Sequence, residues 1–239
     1  MRLGARSPDG ILVTRPADAA ASTARRLERM GWRPVIAPML RVIPAAADLP
    51  DPAGVQALLI TSGNAIPHIA GSFRGVRLLA VGDSTAERAR RAGFTTVISA
   101  GADAAALAVL ARSSCNPEAG PLLLAGAAGE GEPLATALRQ AGFDVLRHAV
   151  YEAQPVADLP PDAIADLGGN RIAAGMFYSP ATARAFLAAF MRACPVEMVF
   201  TVEALAISEE AASALAPLPW RRIRVARRPT QDELLALLP

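Results

Sequence analysis

Short apolar runs alternate with amphipathic stretches along the chain, and the alternation repeats itself. In "ILVTRPADAAASTARRLERMGWRPVI", Ile11 to Ile36, a run of strand length is followed by a turn, then by Ala24, Leu27 and Met30 at helical spacing, then by Gly31. That spacing predicts a helix, and the glycine suits its C-terminus. "LLLAGAAGEGEPLATALRQAGFDVLR", Leu122 to Arg147, has the same plan, with Leu134, Ala137 and Leu138 on the helix and Gly142 at its end. One offset of 111 residues pairs Leu12 with Leu123, Leu27 with Leu138, Gly31 with Gly142 and Trp32 with Phe143, without a gap. We call this unit d.

Three further units recur in the same order. "LLITSGNAIPHI" (a) is echoed by "GMFYSPATARAF", each an apolar strand ending in a Ser-containing turn that opens a helix. "LLAVGDSTAERARRAG" (b) is echoed by "EALAISEEAASALA", and "VISAGADAAALAVL" (c) by "VARRPTQDELLALL", with Ile98 over Val225 and Leu107 over Leu234. The chain thus reads d-a-b-c-d-a-b-c. Strands alternating with helices imply parallel sheets covered on both faces, and the length suits two small flavodoxin-like α/β sandwiches. Each d is joined to the next a by a segment that is strand-like at first and then rich in proline, as expected of a crossing between domains. The repeat leaves open whether the first d packs with the first or the second a-b-c. The second choice makes one domain discontinuous, lays the connectors side by side as a two-stranded hinge, and opens an interdomain cleft toward which the carboxyl ends of both sheets point.

Composition narrows the chemistry. All 24 basic residues are arginine, so Schiff-base chemistry, pyridoxal phosphate anchoring and a Walker lysine have no side-chain amine to use. The two cysteines, Cys115 and Cys194, lack metal-site spacing, and His68 and His148 sit in no catalytic motif. Each histidine reads as a surface or packing residue, and no metal is expected. A net charge of +2, sparse aromatics and no repeated basic stripe argue against nucleic acid. Although 52% of residues are hydrophobic, every apolar run is interrupted before the roughly 18 to 20 residues of a membrane span. "MRLGARSPDG" lacks a signal-peptide core, so the cytoplasm is the expected compartment.

The ordered set "LVTRP", "TSGNA", "AVGDSTAERARRAG", "AVYEAQP", "FYSPATARAF" and "RRPTQDELLALL" resembles the uroporphyrinogen-III synthase family over nearly the whole chain. The resemblance implies the bilobed fold with the first d joined to the second a-b-c: residues 1–36 and 155–239 in one domain, 40–148 in the other, and 36–40 with 148–155 as hinge strands. It implies a cofactor-free enzyme of haem biosynthesis that closes the linear tetrapyrrole hydroxymethylbilane into uroporphyrinogen III. Loss of a hydroxyl from ring A gives an azafulvene cation; ring D attacks through its substituted carbon, forms a spiro intermediate, and rejoins inverted. Unassisted closure gives the type I isomer, so the enzyme's main task is to select one conformer of its substrate. A monomer is expected, with no nucleic-acid or membrane partner.

For this polycarboxylate the candidate contacts are helix starts, where N–H groups and the dipole favour anions. They are Thr61, Ser62 and Asn64; Gly82, Ser84 and Thr85; Ser179 and Thr182; Pro229 and Thr230. Ordinary helix capping accounts for any one of these equally well. Arg15, next to Pro16, suits bidentate capture of a carboxylate where the second copy has Gly126. The glycines of "GAAGEGEP" have no counterpart in the first copy and read as a flexible turn rather than a phosphate cradle. Tyr151 matches a cleft-facing tyrosine that the family uses to assist departure of the hydroxyl, and Tyr178 is a second phenol near Ser179. One position departs from the family: Ser208, Glu209, Glu210 and Ala211 stand where Gly-Pro-Thr-Thr is frequent, so acid replaces a carboxylate-binding hydroxyl. Two rival readings use the same fold, a non-catalytic small-molecule binding module and a flavin-binding redox protein; neither a signalling domain nor a Ser/Thr-rich phosphate loop supports them.

Overall fold

The computed structural model describes residues 10–239, apart from the side chain of Asp18. In chain order the elements begin with β1 (Gly10–Val13), α1 (Ala17–Arg29), β2 (Arg33–Ile36) and β3 (Leu40–Pro44). The middle of the chain forms β4 (Ala57–Ile60), α2 (Ile66–Phe73), β5 (Leu78–Ala80), α3 (Asp83–Arg91), β6 (Val97–Ser99), α4 (Ala104–Ser114), β7 (Leu122–Ala127), α5 (Glu132–Gln140) and β8 (Val145–Pro155). The rest forms α6 (Pro161–Gly168), β9 (Ile172–Phe177), α7 (Pro180–Ala193), β10 (Glu203–Ala206), α8 (Glu209–Leu215), β11 (Arg222–Val225) and α9 (Gln231–Leu235).

These elements make two compact units, one of the described residues up to Arg41 with Gln154–Pro239, the other of Val42–Ala153. The first holds a five-stranded sheet in the order β11-β10-β9-β1-β2, with every neighbouring pair parallel. The first d therefore lies with the second a-b-c. In the other sheet, β3-β8-β7-β4-β5-β6, the strands from β8 to β6 repeat that order. β3 lies beside β8, the Ala45 N–H donating to the Val150 carbonyl and the Val156 N–H to that of Met39.

The central strands are buried on both faces: "GILV", "ALLI" and "EALA" are buried along their whole lengths. Helices cover them, but not with the stripes the spacing suggested. In α1 the buried positions are Ala20, Thr23 and Leu27, while Met30 is half exposed because it is the C-cap. In α5 they are Leu134, Ala135 and Leu138, and Ala137 faces outward. The repeated glycines behave as expected. Gly31 and Gly142 have φ of 85° and 89°, and in each copy the glycine N–H and the following aromatic N–H turn back to the helix: Gly31 to Glu28 and Trp32 to Leu27, Gly142 to Arg139 and Phe143 to Leu138. Only glycine adopts this left-handed turn without strain, which explains why Gly-Trp and Gly-Phe recur together. The turn after β7 also needs positive φ, at Gly129 and Gly131.

The proline-rich stretch after β8 is more than a connector. It contains α6, whose Pro161 occupies the first helical position, where a missing N–H costs no bond. Ala163 and Leu167 of this helix join the core around Phe177, Phe186 and Phe190. Asp166 accepts from Arg33 at 2.6 Å and from Arg171 at 2.7 Å. Burial raises the Asp166 pKa, but hydrogen bonds and charge from both arginines outweigh it, so the carboxyl titrates below its usual range. A depressed folded value stabilises the protein above the unfolded pKa, and the contribution disappears as pH falls through the folded value. Asp166→Asn is expected to cost about 1 kcal/mol at neutral pH and progressively less below roughly pH 4; urea melts across that range measure it.

Candidate active site

In the second unit, candidate residues gather where β4 and β7 end, with Tyr151 of β8 paired to Ala127, the last residue of β7. Thr61 and Ser62 follow β4, and Gly126 lies beside Thr61, a β-carbon there standing 3.7 Å from the Thr61 hydroxyl. The pairing of β7 with β8 slips between Gly126 and Ala127, so that Gly126 faces Ala149 while Ala127 faces Tyr151. Consecutive strand residues normally point to opposite faces; across this slip Val150 and Tyr151 both enter the core above β4. Tyr151 is only 3% exposed, and its ring stacks on His68 with centroids 6.1 Å apart. Burial pushes the phenol pKa up, Glu130 adds to the rise, and Ser62, Asn64 and Arg88 oppose it. Burial, then the charge of Arg88, pushes His68 down and favours its neutral form. Ser62 accepts from the Asn64 N–H at 3.3 Å, and Arg88 Nη1 donates to Asn64 Oδ1 at 3.4 Å. Gly82 starts α3 without a capping side chain; Ser84 is exposed there, whereas Thr85 is turned inward.

The first unit has its own cluster. Arg15, just beyond β1, donates through Nη1 to Thr23 Oγ1 at 3.2 Å and to Gln231 Oε1 at 3.1 Å. Its guanidinium lies 4.3 Å above the Tyr178 ring. Burial raises the Tyr178 pKa, against the pull of Arg15 and Thr23. Pro16 precedes α1, its carbonyl accepting from Ala19 and Ala20. The remaining hydroxyls cap helices: Ser179 accepts from the Thr182 N–H, Ser208 from that of Ala211, and Thr230 from that of Glu233. Ser179 and Thr182 also share a short hydroxyl contact. Pro229 and Thr230 open a helix of five residues, too short to build a strong dipole.

The chain from residue 21 to 236 matches the family model described as uroporphyrinogen-III synthase HemD. The chain belongs to the uroporphyrinogen-III synthase family. It is an enzyme of haem biosynthesis, and the family's reaction is the cyclisation of hydroxymethylbilane. Among solved structures, uroporphyrinogen-III synthetase from Helicobacter pylori is similar at 18% identity, a TM-score of 0.62, and coverage of 96% of this chain and 97% of that one. A mutant uroporphyrinogen III synthase from Thermus thermophilus is similar at 18% identity and a TM-score of 0.50, over 95% and 96% of the two chains. At such identity these likenesses show the bilobed fold. No curated protein matches the chain by sequence. No helix among the described residues is long and apolar enough to cross a membrane.

For a uroporphyrinogen-III synthase, the groups missed from the sequence are His68, Arg88, Thr23 and Gln231. All four lie on helices within the quoted stretches, and nothing local marked which side chain of each helix turns toward its cluster. The Ser208–Ala211 departure is resolved in part: Glu210 approaches Arg184 of α7 at 3.5 Å, with both side chains largely exposed.

Proposed function

We propose that this uroporphyrinogen-III synthase uses Tyr151 to assist loss of the ring A hydroxyl, with the strand-end clusters holding substrate carboxylates. The observation that carries this reading is the buried phenol beside Ser62, Asn64 and His68, whose burial keeps it protonated. As the C–O bond breaks, the phenol gives its proton and the hydroxyl leaves as water. The azafulvene cation is then attacked by ring D, and the proton released when the closed macrocycle regains its pyrroles restores the phenol. Arg15, over the Tyr178 ring, takes a carboxylate, and the amides at the starts of α2, α3 and α7 take others. Holding several carboxylates at once selects the conformer in which ring D presents its substituted carbon, which is the step that distinguishes type III from type I. In this reading the enzyme acts in the cytoplasm as a monomer.

The experiment is to mix the protein with freshly generated hydroxymethylbilane, oxidise the products and separate the uroporphyrin isomers by chromatography. Predominant type III is expected; type I alone, at the spontaneous rate, would favour a fold kept for binding. Glu210 stands in the first turn of α8 and repels a polyanion. Glu210→Thr is expected to lower KM about threefold at low salt, with the difference shrinking as ionic strength rises. An unchanged KM would show that no carboxylate comes near α8.

A further inference from the structure

A guanidinium that takes a carboxylate has to be held in place by something other than an acid, because an acid that fixed it would also compete for it. At the carboxyl end of β1 the two side chains that accept from Arg15 Nη1 are neutral: Thr23 Oγ1 at 3.2 Å and Gln231 Oε1 at 3.1 Å. Gln231 Nε2 donates to the same Thr23 oxygen at 3.3 Å, and Thr23 gives its proton to the Ala19 carbonyl at 3.4 Å. A guanidinium has only donors, so it decides which way the Gln231 amide is turned, and the triangle closes with each of these donors on an acceptor. Gln231 is the first residue of α9, and buried Leu234 and Leu235 seat that helix in the core with Ile11, Val13, Ala20 and Leu27. The two acids that follow it are turned to other arginines: Asp232 meets Arg26 at 2.7 Å, and Glu233 meets Arg228 at 2.8 Å.

We propose that Gln231 is a positioning residue for Arg15: its neutral carbonyl, brought in from 216 residues along the chain, orients the guanidinium toward a substrate carboxylate without neutralising it. The proposal rests on the reading of Arg15 given above. Gln231 acts through the arginine rather than on the substrate, and both its length and its lack of charge matter. A shorter side chain would not reach Nη1 from the start of α9, and an acidic one would reach it as a permanent rival to the substrate.

Arginine side-chain NMR reads the hold, and steady-state kinetics read its use. The Arg15 Nε–H resonance, identified by its absence from Arg15→Met, is expected to be as ordered in Gln231→Glu as in the wild type, and to become mobile in Gln231→Leu. An equally ordered guanidinium in Gln231→Leu would overturn the proposal. In the synthase assay Gln231→Leu is expected to raise KM about fourfold with kcat within about twofold, yet to change KM by less than about 1.5-fold when Arg15 is already Met. A fourfold rise that persists in the Met background would place Gln231 on the substrate or in the fold alone and sink the idea. Gln231→Glu keeps the length and the acceptor but adds charge, so KM should rise about tenfold, as far as in Arg15→Met, although the arginine stays ordered. This near-isosteric variant covers the case in which Gln231→Leu does not fold; a KM within about twofold of wild type would show that neutrality at this position is irrelevant and would also overturn the proposal. If Arg15→Met itself leaves KM unchanged, the carboxylate reading of Arg15 fails and takes the use of Gln231 with it, while the resonance still reports whether the glutamine holds the arginine.

Discussion

Tyr151→Phe is expected to lower kcat for type III formation about a hundredfold, or about 2.7 kcal/mol of transition-state stabilisation. The substitution removes one oxygen and keeps the ring, so the stacking on His68 and the place in the core beside Val150 survive. What is lost, on the proposed reading, is the proton donor. Type I product should keep forming at the spontaneous rate, so the isomer ratio falls along with the rate. Because burial raises the phenol pKa, the wild-type enzyme should hold its activity to higher pH than an ordinary tyrosine would permit. The kcat–pH profile checks this: the alkaline limb should be present in the wild type and absent from the Phe variant. A kcat within twofold of wild type would transfer the role to another group.

Arg15→Met should raise KM for hydroxymethylbilane about tenfold. The arginine is held at the carboxyl end of β1 by Thr23, Gln231 and the Tyr178 ring. Methionine keeps much of the stem's packing and loses the charge. Arg15→Lys should not restore the affinity, because an ammonium cannot bridge Thr23 and Gln231 while lying against an aromatic face as a planar guanidinium does. Steady-state kinetics at several salt concentrations separate the two effects: the wild type should lose affinity steeply with salt, and the Met variant less so. Equal salt dependence in both would show that Arg15 meets no carboxylate.

The parts of the fold legible in the sequence were those set by backbone chemistry. Gly31 and Gly142 announced two helix ends because their turn requires positive φ, and the aromatic after each completed the signature. Which d pairs with which a-b-c was not legible, since Leu12 meets Gly175 across a separation that no local pattern encodes. The apolar stripe of α1 was misjudged by one position: Thr23 is buried by giving its hydroxyl to the Ala19 carbonyl, so a polar residue sits where an apolar one was expected. α6 was hidden by its prolines, which are helix breakers everywhere except at the first turn. In the site, Tyr151 and Arg15 were visible because they lie in short motifs, one within β8 and one just beyond β1. Arg88 and Gln231, though inside quoted motifs, did not stand out, for the side chains they meet lie 24 and 216 residues away.

The place of β1 between β2 and β9 has a consequence for how the chain is made. On the ribosome, β1 and β2 are among the first strands to emerge, yet β9, β10 and β11 come only after the whole of the other sheet. Until then β1 keeps one edge unsatisfied, with its buried "GILV" exposed to whatever strand is nearby. The middle segment, contiguous from Val42 to Ala153, has no such wait. Nascent chains stalled before Ile172 should therefore carry one finished sheet and one aggregation-prone hairpin-length remnant, and chaperone demand should fall once the last quarter of the sequence has been released.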